Sequence, residues 1–340
     1  MLSAVCTAPR TIDLRDVPRP QPGAGETIIK VASCGICGSD LHFYSGHFPA
    51  PPVCPGHEIS GEVADVGAGV TAVKPGDRVA IEPLVVCREC RFCRTGNYQL
   101  CPQMRILGNM CDGGFAEYVL APDYALFPLP KGVDLEVAAL TEPLAVGVHG
   151  VRLGSVGMGD RVLVQGAGTI GLLTAAAAHA AGAAEVWITA RHPHQAAAAR
   201  AVGATRVFTG PDMNNALASA ADVAAPDVVI ETVGGTADTI NEALQIVRRG
   251  GNIVVLGIFT SFPQINPIAL VLKEARIIGS IVYGRTPANA DFDIALQTIA
   301  ADPERFRKLI THRVKLSEIG HGFETAADKT SGAIKVAVRA

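Results

Sequence analysis

Cys87, Cys90, Cys93 and Cys101 form a C-x2-C-x2-C-x7-C run within one loop-sized segment. The two-residue gaps let successive sulfurs converge, and four soft thiolates surround Zn2+ tetrahedrally. A closed four-sulfur site has no open position, so this metal reads as structural. Iron–sulfur clusters also take four cysteines, but their usual runs differ and the surrounding chain lacks ferredoxin character. The remaining alternative is a plain group of buried or surface thiols.

All nine cysteines lie between Cys6 and Cys111. An odd total argues against a secreted disulfide framework. The N-terminus, MLSAVCTAPRTIDLRDV, alternates like a strand and lacks a basic-then-apolar signal segment. No apolar run reaches the roughly 18 residues of a spanning helix. A net charge of −3 gives no electrostatic reason to expect nucleic acid or a membrane surface as partner. The expectation is a soluble cytoplasmic protein. Its 340 residues, 49% hydrophobic and 18% charged, suit two globular domains rather than one core.

The first third reads as short strands between Gly and Pro. ETIIKVASC, ISGEVADVG and DRVAIEP carry β-branched residues and meet turn signals such as KPGD. From about Glu142 the texture becomes an apolar, Ala-rich alternation. RVLVQ leads to TIGLLTAAAAHAAGA, EVWITA, QAAAARAVGA, TRVF, DVVIET, INEALQIVRR, NIVVLGI and finally RIIGSIVYG. Strands alternating with helices imply a parallel, helix-covered sheet. The Ala-rich stretches suit crossover helices packed closely on that sheet better than low-complexity sequence.

GAGTIG, Gly166 to Gly171, follows the strand RVLVQ and precedes a helix. In that setting Gly166 makes the turn, Gly168 admits a pyrophosphate, and Gly171 allows close packing. Thr169 and Ile170 complete the cofactor-binding turn. The acidic residue that would hold both ribose hydroxyls is expected about 20 residues on, at the end of the second strand. EVWITARHP places Ala190 there, followed by Arg191 and His192. A small residue followed by an arginine accepts a 2′-phosphate through charge-assisted bonds, which favours NADP(H) over NAD(H). The alternative is that Arg191 is a surface charge only.

A second constellation is dispersed. CGICGSDLH supplies Cys34, Cys37, Ser39, Asp40 and His42; PGHEISG supplies His57 and Glu58; TEPLAVGVH supplies Glu142. Taken singly, His57 suits a core histidine and Glu142 a helix cap. Together they offer a thiolate, an imidazole and one or two carboxylates, the mixed set of a catalytic zinc with an exchangeable position. Two zincs per chain is the resulting count.

CGICGSDLH, PGHEISGEVADVG, CRECRFCRTGNYQLC, GGFAEY, TEPLAV and GAGTIG stand in the order and approximate spacing of the zinc-containing medium-chain dehydrogenases. Over nearly its whole length the chain resembles that family, most of all the polyol, butanediol and threonine dehydrogenase branch. The resemblance implies an α/β protein in which a Rossmann doubly wound parallel sheet, residues 143–282, is inserted into a groES-like, mostly β catalytic domain, residues 1–142 and 283–340. It implies Cys37, and not Cys34, as the zinc thiolate, with His57 as the imidazole. Glu58 and Glu142 are the two carboxylates, either of them direct or one water away, and Asp40 orients the ligands.

The implied reaction interconverts an alcohol, secondary rather than primary, and its ketone by hydride exchange with the nicotinamide. Ser39 is the relay hydroxyl and His42 the proton exit, with Glu58 counted among the catalytic groups. Polyol dehydrogenases of this branch carry an arginine beside a tyrosine near the last strand. Here IVY has Val282 in its place and retains Tyr283, which leans toward a less charged pocket. Phe43, Phe48 and Ile106 are candidate lining residues. Other readings are a biosynthetic sugar-alcohol or amino-cyclitol dehydrogenase using NAD, and a non-catalytic nucleotide-binding relative. RIIGSIVYG suits a sheet edge paired across a homodimer, which can pair again into a homotetramer.

Overall fold

The computed structural model describes residues 1–340, and the chain divides into two compact units. One comprises Met1–Glu142 with Gly284–Ala340, the other Pro143–Tyr283. The first unit opens with an antiparallel hairpin, β1 (Leu2–Ala8) and β2 (Thr11–Asp16). Next come β3 (Glu26–Gly35), the short helix α1 (Gly38–Tyr44), β4 (Glu58–Val66), β5 (Arg78–Ile81), β6 (Tyr118–Pro122) and β7 (Leu126–Pro128). The three strands expected from ETIIKVASC, ISGEVADVG and DRVAIEP are β3, β4 and β5. Helix α2 (Thr141–Leu153) carries Glu142 in its first turn.

In the second unit β8 (Arg161–Gln165), β9 (Glu185–Ala190), β10 (Arg206–Thr209), β11 (Val228–Glu231), β12 (Asn252–Val255) and β13 (Arg276–Gly279) form one parallel sheet. Their order, β10-β9-β8-β11-β12-β13, is the doubly wound order expected of a Rossmann domain. Helices α3 (Thr169–Ala180), α4 (Pro193–Ala201), α5 (Met213–Val223), α6 (Thr239–Ile246) and α7 (Pro267–Lys273) intervene. Val162, Leu163 and Val164 of β8 are wholly buried, as a strand covered on both faces requires. Small residues permit the close helix packing: a Cβ on Gly147 of α2 would lie 2.9 Å from the Thr174 Cα of α3.

Two details differ from the expectation. Helix α5 buries only Leu217 and Ala220, so its sequence carries little apolar signal. The apolar run RIIGSIVYG is a strand only as far as Gly279, and Val282 turns to a φ of 42°. That left-handed backbone is strained for a β-branched residue and breaks the extended run.

The chain then returns to the first unit with β14 (Ile310–Lys315) and β15 (Lys335–Arg339). These complete a seven-stranded sheet in the order β14-β15-β3-β4-β5-β7, with β6 also paired to β3. Its core gathers Ile29, Val31, Ile59, Val79, Phe115 and Phe323. Strand β3 is central: Gly35, its last residue, faces Glu58 of β4 on one side and Ala337 of β15 on the other. That register brings residues from three distant parts of the chain to one end of the sheet.

Candidate active site

The sulfur loop is compact. The four sulfurs of Cys87, Cys90, Cys93 and Cys101 all lie within 4.8 Å of one another. Cys87 Sγ is 3.8 Å from Cys93 Sγ and 3.5 Å from Cys101 Sγ. The backbone N–H of Cys90 donates to Cys87 Sγ at 3.4 Å, and that of Cys93 to Cys90 Sγ at 3.5 Å. Such donors favour thiolate: N–H groups of Cys90 and Glu89 bring the Cys87 thiol down to about 7. Burial and its sulfur neighbours instead push Cys93 up to about 12. Four thiols at this spacing ionise together only around a cation, so the donor set fits Zn2+. All nine cysteines of the chain are free.

At the end of β3, Cys37 caps α1 and Asp40 at its third position accepts the Cys37 N–H at 2.9 Å. The ligand atoms of Cys37, His57 and Glu58 also lie within 4.8 Å of one another. Burial opposes protonation of His57, but the Cys37 sulfur and Asp40 outweigh it and hold its pKa well above the usual value. The surroundings of the imidazole thus favour positive charge, as a metal site demands. Cys34 differs: burial, reinforced by Asp40 and Glu58, raises its pKa well above the ordinary value and keeps it a neutral core thiol. Glu142 is buried and falls outside the three-residue group, although its charge acts on His57. Ser39 and His42 both lie half-buried on α1. Burial, then the neighbouring His47, holds the His42 pKa below the ordinary value.

Three further residues were not signalled by any motif. Lys335, at the start of β15, donates to Glu58 Oε1 at 2.6 Å. Glu82, just past β5, accepts the Tyr98 hydroxyl. Glu231, wholly buried at the end of β11, accepts the N–H groups of Val233 and Gly234 and the Thr239 hydroxyl. Lys335 lies 277 residues from Glu58 and Tyr98 lies 16 from Glu82, so no local spacing marks these two, whereas the partners of Glu231 stand only two, three and eight residues on.

The glycine turn follows β8. Gly166 has a φ of 94° and donates its N–H to Thr189 Oγ1 at 2.8 Å. Thr232 closes the other side by donating to the Gln165 carbonyl at 2.7 Å. A Cβ on Gly171 would overlap the Gly166 carbonyl, whereas Gly168 faces open space at the start of α3. A helix N-terminus that opens beside a glycine suits a pyrophosphate. At the end of β9, Ala190 is buried, and Arg191 beside it is exposed.

Residues 23–131 match the family model described as the alcohol dehydrogenase GroES-like domain, and residues 169–301 the one described as zinc-binding dehydrogenase. A sorbitol dehydrogenase from Halalkalibacterium halodurans is 37% identical, covering 95% of this chain and 94% of that protein. Human sorbitol dehydrogenase is 34% identical over 95% of this chain and 92% of its own. Among solved structures, a zinc-binding dehydrogenase from Sinorhizobium meliloti bound to NADP aligns with a TM-score of 0.90 at 33% identity, covering 100% of this chain and 99% of that one. The 2R,3R-butanediol dehydrogenase of Bacillus subtilis gives a TM-score of 0.87 at 32% identity, with 100% and 99% covered. The chain therefore belongs to the zinc-dependent medium-chain alcohol dehydrogenases, oxidoreductases that work with zinc and a nicotinamide dinucleotide.

Proposed function

We propose that this enzyme interconverts a secondary alcohol or polyol and its ketone, exchanging hydride with NADP(H). The observation that carries the reading is the convergence of Cys37, His57 and Glu58 in a chain whose glycine turn opens at Gly168. Zinc bound there supplies a Lewis acid that polarises the substrate oxygen and lowers the pKa of a hydroxyl. Asp40 keeps Cys37 and His57 oriented. Ser39 carries the hydroxyl proton away and His42, whose pKa burial and His47 lower, receives it. Cys87, Cys90, Cys93 and Cys101 hold a second, structural zinc.

Ala190 and Arg191 support NADP(H), since no carboxylate stands where it would repel a 2′-phosphate. NADPH favours the reductive direction in a cell. The sorbitol and butanediol relatives support a substrate with its hydroxyl on a secondary carbon. Val282 removes a charged donor that the polyol branch carries, which favours a less polar member of that class.

The test is a panel of secondary alcohols, polyols and ketones assayed with both cofactors, beside metal analysis. About two zincs per chain and turnover with NADP(H) are expected. One zinc per chain removes either the structural or the catalytic assignment.

The proposed assembly is a homodimer or a homotetramer. Strand β13 ends the parallel sheet with its outer edge unpaired, and Ile268, Val271 and Leu272 of neighbouring α7 are exposed. Leu272→Asp should yield monomers in light scattering; an unchanged mass places the interface elsewhere.

A further inference from the structure

We infer that the four-cysteine loop is a clamp: metal held by its sulfurs fixes Gly96, Tyr98 and Gln99 against the segment with which the chain re-enters the first unit. The inference rests on the reading of Cys87, Cys90, Cys93 and Cys101 as a zinc site.

Gly284 is the first residue of that returning segment. The Arg285 N–H donates to the Gly96 carbonyl at 3.1 Å. The Tyr98 hydroxyl donates to Glu82 and stands 3.4 Å from the Gly284 carbonyl. Gln99 is buried, and a Cβ on Gly284 would lie 2.7 Å from its Oε1. On the loop side Gly96 has a φ of 83°, and a Cβ there would lie 3.0 Å from Arg285 Cγ. Glycine at both positions lets the two stretches of backbone meet, and Gly96 adopts its left-handed turn at little cost. The Gly284 N–H donates to Asp291 Oδ2 at 2.9 Å, and the Asp291 N–H to the Gly284 carbonyl at 2.9 Å. Residues 284–291 thus close on themselves ahead of the helix Asp291–Ala301.

Gly96, Tyr98 and Gln99 all fall in the seven-residue gap between Cys93 and Cys101. The two-residue gaps of the motif bring three sulfurs together, and the fourth cysteine closes the tetrahedron. A metal that binds Cys93 and Cys101 turns the long gap into a closed ring and removes much of its conformational freedom. The short gaps therefore serve the metal, and the long one carries the contact with Gly284 and Arg285.

The test follows deuterium exchange by mass spectrometry over residues 284–291 in the zinc-loaded enzyme. Tyr98→Phe removes the hydroxyl but keeps the ring and all four cysteines. It should speed exchange in this segment by about tenfold, the scale of one or two lost hydrogen bonds. Metal content, and exchange in the β1–β2 hairpin, should not change. Withdrawing the loop metal from wild-type enzyme with a chelator should give the same local change. Gly96→Ala, which pushes directly on Arg285, is the second variant and should act in the same direction. Unaltered exchange of residues 284–291 in both variants overturns the inference, as does faster exchange everywhere in step with a lower Tm. Faster exchange in the variants but not on metal withdrawal overturns the role of the metal. Wild-type enzyme with no metal in the loop overturns the zinc reading instead, and the two variants then decide whether the loop holds the segment.

Discussion

Asp40 accepts the backbone N–H of Cys37 at 2.9 Å, so the residue that caps α1 is held by the residue three positions on. The other Asp40 oxygen faces His57 Nδ1 at 3.9 Å. Asp40 is 1% exposed, and burial raises its pKa against the opposing pull of His57 and of the Cys37 N–H. One carboxylate therefore bonds to the backbone of Cys37 and faces the imidazole of His57.

Asp40→Ala should weaken catalytic zinc by about 10- to 100-fold, the usual cost of losing an outer partner of a metal ligand. Asp40→Asn retains an acceptor for the Cys37 N–H and should lose less. Competition with a chromogenic chelator measures both. Wild-type affinity in the alanine variant would mean that Asp40 does not orient the ligands.

Cofactor choice is tested at the end of β9. Arg191→Ala should lower kcat/KM with NADPH by about 10- to 100-fold, as expected for loss of charge-assisted bonds. The value with NADH should hardly change. Ala190→Asp should move preference in the same direction, by repelling the phosphate and by accepting the ribose hydroxyls. If both variants keep the wild-type ratio of the two cofactors, the 2′-phosphate is read elsewhere.

Glu82 makes stability depend on pH. Burial raises its pKa from 4.5 to about 7, against the Tyr98 hydroxyl and Arg285, which lower it. The folded state thus prefers the protonated acid. Stability from this group is complete below pH 4.5 and is lost as pH rises through about 7. At about 1.4 kcal/mol per unit, the loss is on the order of 3 kcal/mol. Glu82→Gln should flatten the fall in Tm across that range and raise Tm at pH 8. A slope that survives the substitution assigns it to another group.

The parallel sheet was legible because strands buried on both faces read as apolar runs, with RVLVQ, EVWITA and DVVIET all becoming strands. Helix α5 was missed because only two of its residues enter the core. RIIGSIVYG looked continuous because hydrophobicity does not record that Val282 adopts a left-handed φ.

By itself the sequence determined what lies close along the chain. The four-cysteine loop and the glycine turn after β8 are short enough that spacing alone constrains their geometry. Cys37, His57 and Glu58 all stand in motifs, but which carboxylate joins the group depends on the pairing of β3 with β4. Lys335 lies 277 residues from Glu58 and reaches it only because β15 pairs with the same central strand. Local spacing carries no information about such contacts; strand register does, and register is a property of the folded sheet.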